Sequence, residues 1–275
     1  MGLKGRVAMV TGASRGLGRS IALALGKAGA AVAVTDLLVE NEKPDNDALQ
    51  EYSALAGHFS KIGEVKTIQT AQEIQSIGSR SCALKLDVTD IDHVRKTVQN
   101  IEDALGPVNI LVNNAAVMDN FAPFSDQKAE RWERDLKVNL TGVYNCIQAV
   151  WQGMIKNRWG RIINISSIAG LMGASLQPSY GATKSALIGF SKSLAIEAGT
   201  YAITVNTICP GFIATEAIQL YDERMTERIA TRTALKRMGR PEEVAQVVAF
   251  LASDAASYIT GAVIPVTGGI DLLTL

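Results

Sequence analysis

A tyrosine and a lysine stand four residues apart, at Tyr180 and Lys184, in a stretch whose pattern predicts a helix. This spacing puts both side chains on one helix face. A free phenol has a pKa of about 10, which is too high for proton transfer at neutral pH. A lysine ammonium, or the positive charge of an oxidised nicotinamide, stabilises a phenolate beside it. The pair therefore predicts a general acid/base, although Tyr-x-x-x-Lys alone occurs by chance in many helices.

A serine, Ser167, precedes Tyr180 by thirteen residues and directly follows the apolar run 162–166. Ser167 is therefore expected at the carboxyl end of a parallel strand, where open α/β sheets bind their ligands. We expect its hydroxyl to hydrogen-bond the substrate oxygen to which Tyr180 gives a proton.

A glycine-rich turn, TGASRGLG at residues 11–18, joins the first predicted strand to the first predicted helix. Glycines let a pyrophosphate approach the backbone, and the helix N-terminus behind them offers free N–H groups and a partial positive charge. A glycine triplet between a strand and a helix is much stronger evidence than a triplet alone. The turn predicts dinucleotide binding.

The second predicted strand is followed by a carboxylate, Asp36. A carboxylate about twenty residues past the glycines accepts hydrogen bonds from the adenosine ribose and repels a 2′-phosphate. Arg15 acts in the opposite direction, because a cation beside the turn attracts that phosphate. Since Asp36 is placed at the ribose itself, the sequence favours NAD over NADP.

Short apolar runs must position these side chains, and they alternate with longer segments of helical period. Such alternation is typical of βαβ units, and runs that are apolar throughout are typical of strands covered on both faces. The predicted fold is a single Rossmann-type α/β domain, residues 1–275, with a doubly wound parallel sheet and helices on both faces. The predicted strands are residues 7–11, 31–35, 82–86, 110–113, 161–166, 204–208 and 263–266.

The segment from about residue 38 to residue 64 interrupts this alternation and is too long for a simple connection. Asp47, with Gln50 three residues later, is a candidate cap for a short helix inside it. The segment begins directly after Asp36, so we expect it to emerge beside the adenosine ribose. It is either a solvated loop or a cover for the cofactor, made by its apolar side chains Leu49, Tyr52, Leu55 and Phe59.

Composition excludes several classes of protein. The 27 basic and 27 acidic side chains cancel and no dense basic run occurs, so neither nucleic acid nor membrane is an expected partner. No apolar run reaches membrane-spanning length, no signal sequence is recognisable, and the three cysteines are widely spaced. These features favour a cytoplasmic protein. His58 and His93 are solitary and the carboxylates do not cluster, so no metal is expected.

The order of these motifs resembles the short-chain dehydrogenase/reductase family over nearly the whole chain apart from the insertion. The turn at 11–18 matches its cofactor loop, LDV at 86–88 its adenine contact, NNA at 113–115 its cofactor-supporting strand and PGFIAT at 210–215 its nicotinamide segment. The resemblance implies cofactor contacts from Gly12, Ser14, Arg15, Gly16, Leu17, Gly18, Asp36, Asp87, Val88, Asn114, Ala115, Tyr180, Lys184, Pro210, Gly211, Ile213 and Thr215.

The resemblance also implies a catalytic tetrad of Asn139, Ser167, Tyr180 and Lys184. In it, Tyr180 is the general acid/base, Lys184 tunes it and binds the nicotinamide ribose, and Asn139 positions a water that connects Lys184 to solvent. A substrate lid is implied over about residues 212–235. The inner face of this lid would be formed by Ile218, Leu220, Tyr221 and Met225. Ordinary helix packing explains the same four residues equally well.

The expected function is interconversion of a secondary alcohol and its ketone with NAD. Two alternatives stay open: a 3-oxoacyl-type reductase, which would favour NADPH and a basic patch for an acyl carrier, and a regulator that binds the cofactor without turnover. The resemblance further implies a homotetramer or homodimer formed through helix 178–198 and the helix containing 139–155. The apolar residues available for this interface are Ile147, Val150, Trp151, Leu187, Phe190 and Leu194. They fit the core of a monomer equally well.

By position and length, the insertion is similar to one in family members resembling carveol dehydrogenase, some of which hold their nicotinamide cofactor without exchanging it. The hypothesis that follows is that residues 38–64 cover the adenosine end of the cofactor and slow the release of NAD.

Overall fold

A seven-stranded parallel sheet, ordered β3-β2-β1-β4-β5-β6-β7, organises the chain. The computed structural model describes residues 2–40, 46–218 and 222–272. The strands are β1 (Val7–Thr11), β2 (Ala31–Asp36), β3 (Ser81–Lys85), β4 (Ile110–Asn113), β5 (Gly160–Ile165), β6 (Ile203–Pro210) and β7 (Val263–Val266). The strand order reverses between β1 and β4, and the crevice at such a switch point is where open α/β sheets bind ligands.

Helices cover both faces of the sheet, as the sequence predicts. α1, α4 and α11 pack on one face, and α5, α7 and α9 pack on the other. The helices are α1 (Gly16–Lys27), α2 (Asn46–Tyr52), α3 (Ala54–Lys61), α4 (Thr67–Ser76), α5 (Ile91–Leu105), α6 (Ala129–Leu136), α7 (Gly142–Asn157), α8 (Ala169–Met172), α9 (Pro178–Ala198), α10 (Glu223–Arg232) and α11 (Pro241–Ala252).

The residues proposed for a subunit interface lie mainly in the core. Ile147, Val150 and Leu187 are buried against the sheet, so assigning these three to an interface is wrong. They face inward because α7 and α9 use this apolar stripe to cover β4, β5 and β6. The large apolar side chains that these helices do expose are Tyr144 and Ile196. The homotetramer or homodimer remains a prediction.

The insertion folds as a helical hairpin, α2 and α3, with Ser53 between the two helices. α2 starts at Asn46, so Asp47 lies in its first turn and is not its cap; Ser53 caps α3 instead, accepting from the Ala56 amide at 3.3 Å. The polar residues 41–45 lie outside the described residues. The two helices are in close contact, because a Cβ at Gly57 would come within 2.8 Å of the Gln50 Cα.

The base of the insertion is closed by its own hydrogen bonds. Thr67 Oγ1 donates to the Leu38 carbonyl at 2.7 Å. The Glu40 carboxylate accepts from the amides of Ile68 and Gln69, at 2.8 and 3.0 Å, in the first turn of α4. A carboxylate satisfies free amides at a helix N-terminus and complements its dipole. The crossover from β2 to α4 is therefore complete without α2 and α3.

The predicted lid contains α10, whose first turn is capped by Asp222 through the Met225 amide at 2.7 Å. Ile229 is the buried residue of this helix, whereas Met225 is 46% exposed, and its place on the inner face of a lid remains a prediction. Leu220 and Tyr221 lie outside the described residues.

Candidate active site

α9 brings Tyr180 and Lys184 together as the spacing predicts. The Lys184 Nζ lies 5.6 Å from the centroid of the Tyr180 ring. Lys184 is only 3% exposed, and its Nζ donates to the Ile165 carbonyl at the end of β5, at 2.8 Å. Burial lowers the pKa of Lys184 to about 8, an effect that the neighbouring Cys209 opposes. An ammonium carries three N–H donors, so Ile165 leaves two for other groups.

Ser167 lies two residues beyond β5, on a short loop that packs against α9. Its Oγ accepts from the Ala169 amide at 3.1 Å. A Cβ at Gly170 would lie 2.7 Å from the Lys184 carbonyl carbon, so a side chain there would force α8, which follows the loop, away from α9. Ser166 Oγ donates to the Lys184 carbonyl at 2.7 Å. Ser167 is thus held on the same support as Lys184.

Asn139 is fully buried in a π-helical turn, Lys137–Thr141, between α6 and α7. Its Oδ1 accepts from the Val117 amide at 2.8 Å, and its Nδ2 donates to the Val117 carbonyl at 2.9 Å and to Thr183 Oγ1 at 3.3 Å. The side-chain amide thus joins the loop after β4 to α9. Both of its N–H donors are used within the protein, so a water positioned by Asn139, as the resemblance implies, would be bound through one of its oxygens. π-turns inside α-helices are frequent at functional sites.

Asn114 and Thr11 hold the glycine turn in place. The Asn114 Nδ2 donates to the carbonyls of Thr11 and Gly12, at 3.0 and 2.9 Å. Thr11 Oγ1 accepts from the amides of Asn114 and Ala115, both at 3.0 Å. A Cβ at Gly18 would collide with the Gly12 carbonyl. The turn therefore requires glycine for close packing, and the Asn114 side chain supports the turn.

Asp36 meets the turn through backbone amides. Its two carboxylate oxygens accept from Ser14, at 3.0 Å, and from Leu38, at 3.2 Å. The Ser14 Oγ and Arg15 Nη1 are buried without a hydrogen-bond partner among the described residues. Leu17 packs its side chain on the core. Two unpaired buried polar atoms beside a glycine cradle fit a dinucleotide with its pyrophosphate at the turn and its ribose at Asp36.

The predicted adenine contacts follow β3. Asp87 Oδ1 accepts from the Thr89 amide and hydroxyl, at 2.8 and 2.7 Å. The Val88 side chain is buried, and its carbonyl accepts from Asn145 Nδ2 at 2.9 Å. His93, expected at the surface, accepts from the Asp87 amide at 3.3 Å and so shapes this turn. The described residues contain no group of three His, Cys, Asp or Glu side chains arranged to hold a metal ion.

The predicted nicotinamide segment runs from the end of β6 to the glycine turn. A Cβ at Gly211 would lie 2.9 Å from the Thr267 Cα. The Ile213 side chain is buried in the core, so its backbone is what can face a cofactor. A Cβ at Gly16 would lie 3.5 Å from the Thr215 Cβ. The segment that starts at Pro210 therefore returns to the start of α1.

The insertion reaches both sides of the adenosine end of this crevice. On one side, the Arg15 guanidinium carbon lies 4.6 Å from the centroid of the Phe59 ring, so Arg15 stacks on the insertion. On the other side, Ser53 Oγ donates to Asp119 Oδ2 at 2.7 Å, in the loop after β4. Phe59 and Leu49 are buried, whereas Tyr52 is 36% exposed.

The Tyr52 phenol lies within electrostatic range of the predicted adenine contact. Burial, assisted by the Asp87 carboxylate, raises the pKa of Tyr52 to about 12. The phenol therefore stays protonated at neutral pH and remains a hydrogen-bond donor at the edge of the crevice. The insertion therefore packs on the glycine turn through Phe59.

Sequence reasoning missed Ser166, Gly170 and Thr183, which hold the catalytic candidates. Gly170 carried a signal, since a glycine in a short helix often marks close packing. Ser166 and Thr183 carried none, because their roles depend on which chain segments lie next to them in the fold.

A parallel sheet with a switch point, a glycine turn at a helix N-terminus and a Tyr–Lys pair at the carboxyl edge together define a Rossmann-type oxidoreductase. Family models match the chain in two parts: one described as enoyl-(acyl carrier protein) reductase over residues 58–271, and one described as short chain dehydrogenase over residues 6–62. The protein belongs to the short-chain dehydrogenase/reductase family.

Among its relatives, the chain is 41% identical to the 3-oxoacyl-[acyl-carrier-protein] reductase of Pseudomonas aeruginosa over 270 residues, 98% of each chain. It is 37% identical to the acetoacetyl-CoA reductase of Shinella zoogloeoides, over 96% of this chain and 98% of the relative. A solved structure of a putative short-chain alcohol dehydrogenase from Sinorhizobium meliloti matches with a TM-score of 0.86 and 36% identity, over 99% of both chains. No helix of the described residues has the length and apolarity needed to cross a bilayer.

Proposed function

We propose that this protein interconverts a ketone and its secondary alcohol with a nicotinamide dinucleotide, and that Tyr180 is the general acid/base. The observation that carries the proposal is Lys184, a lysine buried with its ammonium beside the Tyr180 ring. Burying an ammonium is unfavourable. A regulator that only binds the cofactor would use Lys184 for the ribose but has no need of a phenol held beside it, so catalysis is favoured over the regulator alternative.

Each side chain of the site has a step to perform. The bound dinucleotide supplies or accepts the hydride. Tyr180 gives its proton to the carbonyl oxygen while Ser167 hydrogen-bonds the same oxygen. Lys184, when protonated, favours the phenolate that remains and has donors free for a ribose. Asn139 fixes the distance between α9 and the loop after β4, and a water in this region would be held by backbone carbonyls.

The names of the relatives support a 3-oxoacyl thioester as the ketone. Both curated relatives named above are reductases of 3-oxoacyl thioesters. The segments that flank Ser167 and the loop after β4 also expose apolar side chains, which suit an acyl chain: Phe121, Phe124, Met172 and Leu176. These two segments are joined by the Ala122 amide, which donates to the Leu176 carbonyl at 3.0 Å.

A substrate panel tests the proposal. Acetoacetyl-CoA, a 3-oxoacyl-carrier thioester and simple cyclic ketones would each be assayed with NADH and NADPH by absorbance. We expect turnover with at least one ketone, and the thioesters first. Stoichiometric cofactor binding without turnover on any ketone or alcohol would favour the regulator.

The cofactor preference is proposed to be NAD, because Asp36 sits at the predicted ribose and Arg15 is engaged by Phe59. We expect Asp36→Ala to narrow the ratio of kcat/KM for NAD over NADP by about tenfold, corresponding to about 1.4 kcal/mol, mostly through the KM for NADP. The exposed Asp92→Ala serves as the control and should leave the ratio unchanged. A wild type that prefers NADP would show that Arg15 outweighs the carboxylate.

The insertion is proposed to slow NAD release, since it bridges the glycine turn and the loop after β4. Replacing residues 41–63 by a short turn should speed NAD release at least tenfold and remove any NAD retained through purification and desalting. Ile62→Ser is the control, because Ile62 is exposed on the same segment. Equal release rates from the shortened and full-length forms would make the insertion surface decoration.

A further inference from the structure

Two adjacent charged residues of α6, Arg134 and Asp135, are buried and have no part in the chemistry described above. The Arg134 side chain is 7% exposed and that of Asp135 is 0% exposed. A buried ion pair is a weak source of stability, because the loss of hydration offsets much of the attraction. Such a pair is instead suited to holding the chain segments that contact it in one relative position.

Arg134 holds the insertion. Its Nη1 donates to the Tyr52 carbonyl, at the end of α2, at 2.6 Å. Its Nη2 forms an ion pair with Asp119 at 2.9 Å, and Asp119 in turn accepts from Ser53 of the insertion. The planar guanidinium has five N–H donors in a rigid fork, so it fixes these partners relative to one another.

The same guanidinium also holds Asp135. Its Nε and Nη2 donate to Asp135 Oδ1, at 3.0 and 2.7 Å. One side chain of α6 is thus bonded at once to the insertion and to Asp135. Removing it would leave Asp119 and Asp135 close together without their shared cation, and would release Tyr52 from its buried partner.

Asp135 continues the connection to the helix that carries the tyrosine. Its Oδ2 accepts from Ser179 Oγ at 2.5 Å, and Ser179 immediately precedes Tyr180 in the first turn of α9. Asn120 Nδ2 donates to Ser179 Oγ at 3.0 Å. The residue before α9, Gln177, makes no side-chain cap. A carboxylate at a helix N-terminus is stabilising, so Asp135 fixes the start of α9 from outside it.

We propose that Arg134 and Asp135 are positioning residues that couple docking of the insertion to the alignment of Tyr180. The inference rests on the proposed function of Tyr180, but the contacts that support it do not. When the insertion is docked, Arg134 is locked by Tyr52 and Asp119, and it holds Asp135 against Ser179. When the insertion lifts, Arg134 loses the Tyr52 carbonyl and Asp119 loses Ser53, so the guanidinium is held less firmly and the start of α9 loosens.

The first measurement needs no activity: amide hydrogen exchange of residues 178–184 in the full-length protein. Arg134→Gln should speed this exchange about tenfold. Ser53→Ala, a change on the insertion itself, should speed it about threefold, although Ser53 does not contact α9. The control is Arg131→Gln, because Arg131 also donates to the Tyr52 carbonyl, at 3.0 Å, but is only half-buried, unlike Arg134. Arg131→Gln should leave exchange in α9 unchanged.

The second measurement is steady-state kinetics with the ketone that the panel identifies. Arg134→Gln should lower kcat about tenfold with KM changed less than threefold, because the reacting groups and not the binding surface are displaced. Arg134→Lys keeps the charge but not the fork, so it should recover part of kcat and part of the exchange protection. Arg131→Gln should keep the wild-type kcat.

Unchanged exchange in α9 of Arg134→Gln, or an equal increase in Arg131→Gln, would overturn the coupling. If Arg134→Gln does not fold, Arg134→Lys and Ser53→Ala decide by the same exchange measurement, and wild-type protection in both would overturn it. If α9 responds but the wild type reduces no ketone, the proposed function fails while the coupling stands.

Discussion

Tyr180→Phe should lower kcat for ketone reduction by about a thousandfold, within the range that positioned acid/base groups contribute. The substitution removes the hydroxyl that gives the proton and keeps the ring, which lies 5.6 Å from the Lys184 Nζ. We expect the dissociation constant for NADH, measured by fluorescence, to change less than twofold.

Tyr144→Phe is the matched control for this experiment. Tyr144 loses the same hydroxyl but is half exposed on α7, and we expect wild-type kinetics from it. Turnover of Tyr180→Phe above about a tenth of the wild-type value would transfer the acid/base role to another group.

Lys184→Met should abolish most turnover, and its stability relative to wild type should be greatest near neutral pH and fall as the pH rises. The pKa of Lys184 is about 8 in the folded protein, below the 10.5 of a free lysine. Below pH 8 Lys184 is protonated in both the folded and the unfolded protein, so the folded protein bears the full free-energy cost of burying the ammonium. Between about 8 and 10.5 the unfolded state binds more protons, so wild-type stability rises with pH. At pH 7 the buried charge of Lys184 therefore lowers the free energy of unfolding by up to about 3 kcal/mol.

The measurement is the free energy of unfolding of both proteins at several pH values between 7 and 10. Methionine also leaves the Ile165 carbonyl without its donor, at a cost of about 1–3 kcal/mol that is the same at every pH. The stability difference between Lys184→Met and wild type should therefore move in favour of wild type as the pH rises above 8. A difference that stays constant over this range would show that Lys184 is not destabilised by burial.

The sheet was predictable because its strands are covered on both faces and therefore read as unbroken apolar runs. β1, β4 and β7 have the predicted bounds, β2 is one residue longer, and β3, β5 and β6 differ from the predicted strands by one or two residues at each end. Strand ends depend on backbone pairing with neighbours, to which side-chain patterns contribute little. The reach of β2 to Asp36, for example, follows from its pairing with Lys85 of β3.

The residues with reactive side chains could be found in the sequence, but the contacts that support them could not. Asn114 belongs to a recognisable motif, but only the fold shows that its side-chain amide hydrogen-bonds the carbonyls of the glycine turn. The side chains of Arg134 and Asp135 are charged and sit in a polar helix, so nothing in the sequence indicates that they are buried. Ile147 and Leu187 fit an interface and a core equally well from sequence, since both environments require apolar residues.

The closed base of the insertion bears on how such a family diversifies. Leu38 and Glu40 lie at the start of the insertion, and each is hydrogen-bonded to the first turn of α4, which follows it. The two ends of the insertion are thus joined independently of α2 and α3. Because the entropy of closing a loop grows only slowly with its length, residues can be gained or lost above this junction at little thermodynamic cost. The junction is thus a natural graft point, where an evolving or engineered chain can exchange one cover for another while the sheet beneath keeps its register.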